Sequence, residues 1–121
     1  MKHLIVVYDS LTGNVERFIR KLNGLECIKI SEDLEIKEPF VLLTYTIGFG
    51  EVPKSVSRFL TTNNQYLKGV AGSGNMNWGA FYCGAAERVS NKYNVPLIYK
   101  FELSGTPEDV EQFTQEVKSI V

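Results

Sequence analysis

Residues 39–46, Pro-Phe-Val-Leu-Leu-Thr-Tyr-Thr, are apolar almost without a break. A strand with one wet face alternates apolar and polar residues, so an unbroken run of this length calls for cover on both faces, as in a parallel sheet flanked by helices. His3-Leu4-Ile5-Val6-Val7-Tyr8 reads the same way. Helical spacing follows each run: Val15, Phe18, Ile19 and Leu22 after the first, Val56, Phe59 and Leu60 after the second. Strands are expected at 3–8, 25–30, 39–46, 67–71 and 96–103. Helices are expected at 14–22, from about Pro53, at 79–93 and at 106–121. The last opens with Thr106-Pro107-Glu108-Asp109, an N-cap followed by proline and acids in the first turn. Strand–helix alternation within 121 residues implies an α/β fold, a parallel sheet with helices on both faces, in a single domain over residues 1–121.

Composition narrows the function classes. A net charge of -1 provides no basic surface for nucleic acid. No apolar stretch reaches membrane-spanning length, and the run at 4–7 is too short for a secretory signal. Cys27 and Cys83 are far apart and form no C-x-x-C, which predicts reduced thiols and a cytoplasmic protein. The lone histidine, His3, is expected at the sheet edge, away from any site. Neither G-x-G-x-x-G nor G-x-x-x-x-G-K-[ST] is present, which argues against dinucleotide and P-loop nucleotide binding. A receiver-type phosphorylation domain needs clustered acids after strand one, where only Asp9 stands.

The candidate site is read from three segments that follow strands one, three and four. In open α/β sheets ligands sit outside the C-terminal strand ends, where the strand order reverses. The first segment is Ser10-Leu11-Thr12-Gly13-Asn14-Val15, a hydroxyl-rich turn leading into a helix. Free N–H groups and the positive dipole end suit a phosphate there, with Gly13 letting the backbone close around it. No Lys or Arg lies within the turn, so neutral donors alone would hold the anion. An equally weighted reading makes Ser, Thr or Asn a plain helix cap. The second segment is Thr44 to Pro53, with Tyr45, Thr46, Gly48, Phe49 and Gly50; the third is Gly72 to Gly79, with Ser73, Gly74, Asn75, Asn77 and Trp78. Glycine, small polar groups and large aromatics together fit a flat heteroaromatic ligand, hydrogen-bonded at its edge and stacked on its faces. Singly, Tyr45 reads equally well as core, Phe49 as a helix staple and Trp78 as a plug at the sheet's end.

The motifs S-L-T-G-N-V, T-Y-T-I-G-F-G-E-V-P, S-G-N-M-N-W-G and F-E-L-S-G-T resemble, in order, those of the NrdI flavoproteins, flavodoxin-like partners of class Ib ribonucleotide reductase. The likeness spans residues 3 to about 118. It implies a doubly wound five-stranded sheet in the order 2-1-3-4-5 and a non-covalent FMN with its phosphate in the 10–15 turn. The ring would lie between the 45–50 and 73–79 segments, with Trp78 stacking and Tyr45 or Phe49 as the second aromatic. Backbone groups of Ser73, Gly74, Asn75 and Gly79 would serve the pyrimidine edge, with Phe81 and Cys83 near the ring. A glycine peptide beside flavin N5 would flip on reduction; Gly50, which follows Phe49, is favoured over Gly48. The implied activity is oxidant supply. Flavin reduced by a partner reacts with dioxygen, and superoxide or a peroxide-level oxidant reaches the dimanganese site of the small radical-generating subunit. The resemblance implies no catalytic acid or base and no metal held by this chain.

The runner-up is a one-electron-transfer flavodoxin serving another reductase. Such carriers are typically strongly acidic, whereas the ring-binding segments here contain Glu51 as their only acid. One unit charge about 10 Å from the ring, at an effective dielectric near 20, contributes roughly 1.7 kcal/mol. That corresponds to roughly 70 mV in a one-electron couple. The two one-electron couples are therefore expected closer together than in acidic carriers. Residues 48–53 and 76–78 are the expected partner surface, with Ile47, Phe49 and Met76 supplying apolar contact.

Overall fold

The computed structural model describes residues 4–120. Five strands, β1 (Ile5–Tyr8), β2 (Glu26–Lys29), β3 (Phe40–Thr44), β4 (Leu67–Gly74) and β5 (Leu97–Glu102), form one parallel sheet in the order β2-β1-β3-β4-β5. Four helices connect or follow them: α1 (Asn14–Arg20), α2 (Lys54–Asn63), α3 (Gly84–Tyr93) and α4 (Pro107–Ile120). The expected α/β class and strand order are those observed. His3, placed by sequence at the sheet edge, lies outside the described residues.

The continuous apolar runs resolve into two faces by the strand's period of two. Ile5, Val7, Phe40, Leu42 and Val70 point into one core with Val56, Phe59 and Leu60 of α2 and Val89 of α3. Val6, Tyr8, Val41, Leu43 and Phe101 point into the other with Val15 and Phe18 of α1 and Phe113 and Val117 of α4. Phe18 stacks on Phe101 at 4.0 Å between ring centroids and meets Phe113 edge-on at 5.4 Å. Because β3 is buried at every position, it tolerates no polar alternation.

Two boundaries differ from expectation by more than two residues. β4 runs to Gly74 instead of ending near Ala71, because Ser73 and Gly74 stay in register with Phe101 and Glu102 of β5. The helix expected from residue 79 begins at Gly84. Before it, Met76–Phe81 forms short 3-10 turns; Gly79 (φ 57°) and Cys83 (φ 54°) take left-handed backbone, through which an α-helix does not run.

Close packing of α3 explains glycines that read from sequence as ligand-binding. A Cβ on Gly72 would lie 2.7 Å from the Ala86 methyl, and one on Gly74 would lie 2.7 Å from the Cys83 nitrogen. Only bare backbone lets α3 descend onto β4 this closely.

Candidate functional site

At the C-terminal ends of β1, β3 and β4, where the strand order reverses between β1 and β3, the three sequence-read segments meet around a cleft of about 370 Å³. The first supplies Ser10, Leu11, Thr12, Asn14 and Val15 to its lining. Asp9 anchors this turn from behind: its carboxylate accepts the Ser10 N–H at 2.9 Å and a short hydrogen bond from the Ser55 hydroxyl. Ser10 Oγ accepts the Glu16 N–H at 3.3 Å, so one side chain of the turn does cap α1. Gly13 stands at the N-cap position itself with φ 92° and contributes no side-chain bond.

The second segment supplies Tyr45, Thr46, Ile47 and Gly48. Ile47 and Glu51 exchange two backbone hydrogen bonds, of 3.1 and 2.8 Å, closing a three-residue tip over 48–50. Gly48 and Gly50 both have positive φ, 51° and 82°, which a tip this tight requires. Thr46 Oγ1 accepts the Ala85 N–H at 3.3 Å and so ties the segment to the start of α3. Burial raises the Tyr45 phenol above its ordinary pKa and the Asp9 charge adds to the rise, against a smaller lowering by a hydrogen bond with Ser55, so the hydroxyl stays neutral.

The third segment supplies Ser73, Gly74, Asn75 and Trp78, with Phe81 and Cys83 beyond it. Asn75 Oδ1 accepts the Asn77 N–H at 2.9 Å, and the Asn75 carbonyl accepts from Trp78 at 3.0 Å. These bonds set the turn that presents the indole. Burial pushes the Cys83 thiol up to about 11, so it is a thiol at neutral pH.

Gly13, Phe49, Gly50, Asn77 and Gly79 stand outside the lining. Phe49 packs edge-on against Trp78 and against Phe81, each at 5.6 Å, and backs the aromatic wall. With Leu11, Met76, Trp78, Phe81 and Leu103 it belongs to a set of exposed large apolar side chains around the mouth.

Ile47, expected as an apolar contact of the partner surface, lines the cleft, and so does Leu103, which was not read as a site residue although it lies in F-E-L-S-G-T. Beside the first segment, Arg17 folds back one helical turn. It donates to Asn14 Oδ1 at 2.7 Å and to Ser104 Oγ at 2.9 Å, which brings a cation next to a turn that contains none. No charged side chain belongs to the lining among the described residues. The cleft offers neutral hydroxyl and amide groups at one end and aromatic surface at the other. That division suits an anionic tail and a flat ring in one ligand.

The family model described as NrdI Flavodoxin like matches residues 6–115. This chain belongs to the NrdI flavodoxin-like family. It is 53% identical over 116 residues to Protein NrdI of Bacillus licheniformis, a match covering 96% of this chain and 88% of that protein. Among solved structures it resembles a short-chain flavodoxin associated with a non-canonical PDU bacterial microcompartment, with a TM-score of 0.69 and 20% identity. That alignment covers 99% of this chain and 97% of the other, and it speaks to the fold alone. The four motifs that resembled NrdI sequences thus lie on a flavodoxin-like frame, and each contributes at least one residue to the lining of the cleft at its switch point.

Proposed function

We propose that this NrdI-family chain binds FMN and, with it, supplies the oxidant that activates the dimanganese-tyrosyl radical subunit of class Ib ribonucleotide reductase. The observation that carries the reading is the cleft's division into a neutral polar end at the α1 turn and an aromatic end around Trp78. Its volume falls within the range of small-ligand sites. The chain's residues fit the group in kind: Ser10, Thr12 and Asn14 for the phosphate, Tyr45 and Trp78 for the ring, and Ser73 to Asn75 for the ring's polar edge.

When bound, FMN supplies the redox chemistry, passing electrons from a reducing partner to dioxygen. The chain's contribution is positioning and exposure. Asp9 and Ser55 hold the phosphate turn in place, and Arg17 supplies positive charge beside it. The lining itself contains no carboxylate to oppose negative charge on the ring, although Asp9 and Glu51 stand just behind it. Gly48 is exposed, and a Cβ there would meet only the far end of Glu51 at 3.0 Å; Gly50 is buried against Gly84. This packing favours Gly48 as the peptide that changes conformation on reduction. The exposed rim of Phe49, Met76 and Trp78 is the surface through which the radical subunit would dock. The free cysteines Cys27 and Cys83 accord with a cytoplasmic setting for this role.

Two measurements test the proposal. Titration with FMN gives a saturable complex with a perturbed visible spectrum. Manganese-loaded radical subunit exposed to dioxygen then gains tyrosyl radical only when the reduced holoprotein is present. Equal radical yield without it would leave the chain an electron carrier.

A further inference from the structure

Leu103 occupies a backbone position that an unstrained chain gives to glycine. Its φ is 54°, in the left-handed region, where the side chain of a bulky residue crowds its own backbone. Ser104 returns to negative φ, and the Gly105 N–H bonds the Glu102 carbonyl at 2.9 Å. A tight turn with positive φ at its first central position normally carries glycine there. Two bonds to β4 hold the strained residue: its N–H donates to the Gly74 carbonyl at 2.9 Å, and the Ser73 hydroxyl donates to its carbonyl at 2.6 Å.

Burial does not account for the leucine. The side chain is 44% exposed, while the core beside it is filled by Phe101 and Phe113. What the side chain does is line the cleft, and at the same time an adjoining open cavity of about 570 Å³ that holds Lys100, Glu102 and Asp109. Leu103 and Asn14 are the two residues common to both linings. Glycine would make the same turn without strain and leave the neutral cleft continuous with the charged cavity.

We infer that Leu103 is a flavin-binding residue: its side chain is the apolar wall that closes the cleft against the charged cavity, and the bonds from Ser73 and Gly74 hold its backbone in strain for that purpose. The inference rests on the proposed flavin site. Its contact is with the uncharged part of the ligand, so riboflavin and FMN feel it equally.

Leu103→Gly and Leu103→Met separate wall from strain. In the apo form, Leu103→Gly is expected to raise the melting temperature by about 2 °C, because relief of left-handed strain outweighs the added freedom of the unfolded chain. The same substitution is expected to weaken FMN and riboflavin alike by about tenfold, through loss of apolar contact. Leu103→Met keeps the wall and binds both flavins within about twofold of the unsubstituted chain. Unchanged affinity in Leu103→Gly, or a loss confined to FMN, overturns the wall; a lower apo melting temperature in Leu103→Gly overturns the strain. If the unsubstituted chain binds neither flavin, it is the flavin site that fails, and the apo melts still decide whether Leu103 is strained.

Discussion

The start of α3 rests on the site loop through a pair of glycines: a Cβ on Gly84 would lie 2.7 Å from the Gly50 Cα and 3.0 Å from its carbonyl oxygen. Backbone faces backbone here, so neither partner has a flexible end that can yield. Gly84→Ala is expected to cost about 1–3 kcal/mol through overpacking and to weaken FMN binding by displacing the 47–51 tip. Gly24→Ala is the comparison: φ is 78° but nothing lies within 4 Å, so strain alone costs about 1 kcal/mol and the cleft is untouched. Urea unfolding and FMN titration of both variants check this. Equal FMN affinity in the two would show that the tip does not depend on Gly84.

Trp78 is the chain's single tryptophan and lies in the cleft lining, whereas Phe49 leans on it from outside. Trp78→Ala is expected to lower FMN affinity about tenfold or more, and Phe49→Ala less, since stacking acts on the ring only from the residue that touches it. FMN binding is also expected to quench the indole fluorescence of the unsubstituted protein. An indole that FMN leaves bright would place the ring elsewhere.

Two tyrosine–carboxylate pairs tie helices to the sheet. The Tyr8 hydroxyl donates to Glu16 at 2.8 Å and that of Tyr99 to Asp109 at 2.6 Å. The Tyr8 bond foremost lowers the Glu16 pKa, with Lys29 assisting against burial. For Asp109, burial pulls upward, but the bonds from Tyr99 and Thr106 outweigh it and the pKa is lowered. Burial first, then the partner carboxylate, pushes each tyrosine up to about 12. A carboxyl pKa lowered on folding contributes stability above its unfolded value near 4 that is lost as pH falls through the folded value. A phenol pKa raised on folding contributes stability below about 10 that is lost as pH rises toward 12. Urea midpoints measured against pH are expected to fall at both ends, and Tyr99→Phe to make both limbs shallower. A profile unchanged by Tyr99→Phe would remove this pair from the linkage.

Asn63 joins the acidic 31–38 segment to α2. Its side chain accepts the Ile36 N–H at 2.8 Å and donates to the Leu34 and Phe59 carbonyls at 3.2 and 3.0 Å. Asn63→Leu leaves a buried N–H without its acceptor and is expected to cost about 1–3 kcal/mol. Denaturant unfolding measures the loss. Hydrogen exchange at Ile36 is expected to quicken by more than the global change accounts for.

The neutral lining bears on the redox balance. With no carboxylate in the cleft wall, the two one-electron couples of bound FMN are expected closer together than in strongly acidic carriers. A spectroelectrochemical titration that separates them by several hundred millivolts counts against this.

Much of this protein is written locally. The unbroken apolar runs at 4–8 and 39–46 specify buried parallel strands, because burial on both faces leaves no room for polar alternation. The hydroxyl turn after β1 and the glycine–aromatic segments after β3 and β4 were legible as a converging site, since chain order and right-handed crossovers place them at one sheet end. What sequence did not reveal lies in contacts between elements far apart along the chain. That Gly74 is bare for the sake of Cys83, that Ser73 and Gly74 extend β4, and that both hold Leu103 in left-handed strain depend on how closely α3 and β5 approach β4. Periodicity reports which face a residue turns inward. Only the assembled sheet decides how near its neighbours come, and with it which backbone must be glycine and which side chain closes the cleft.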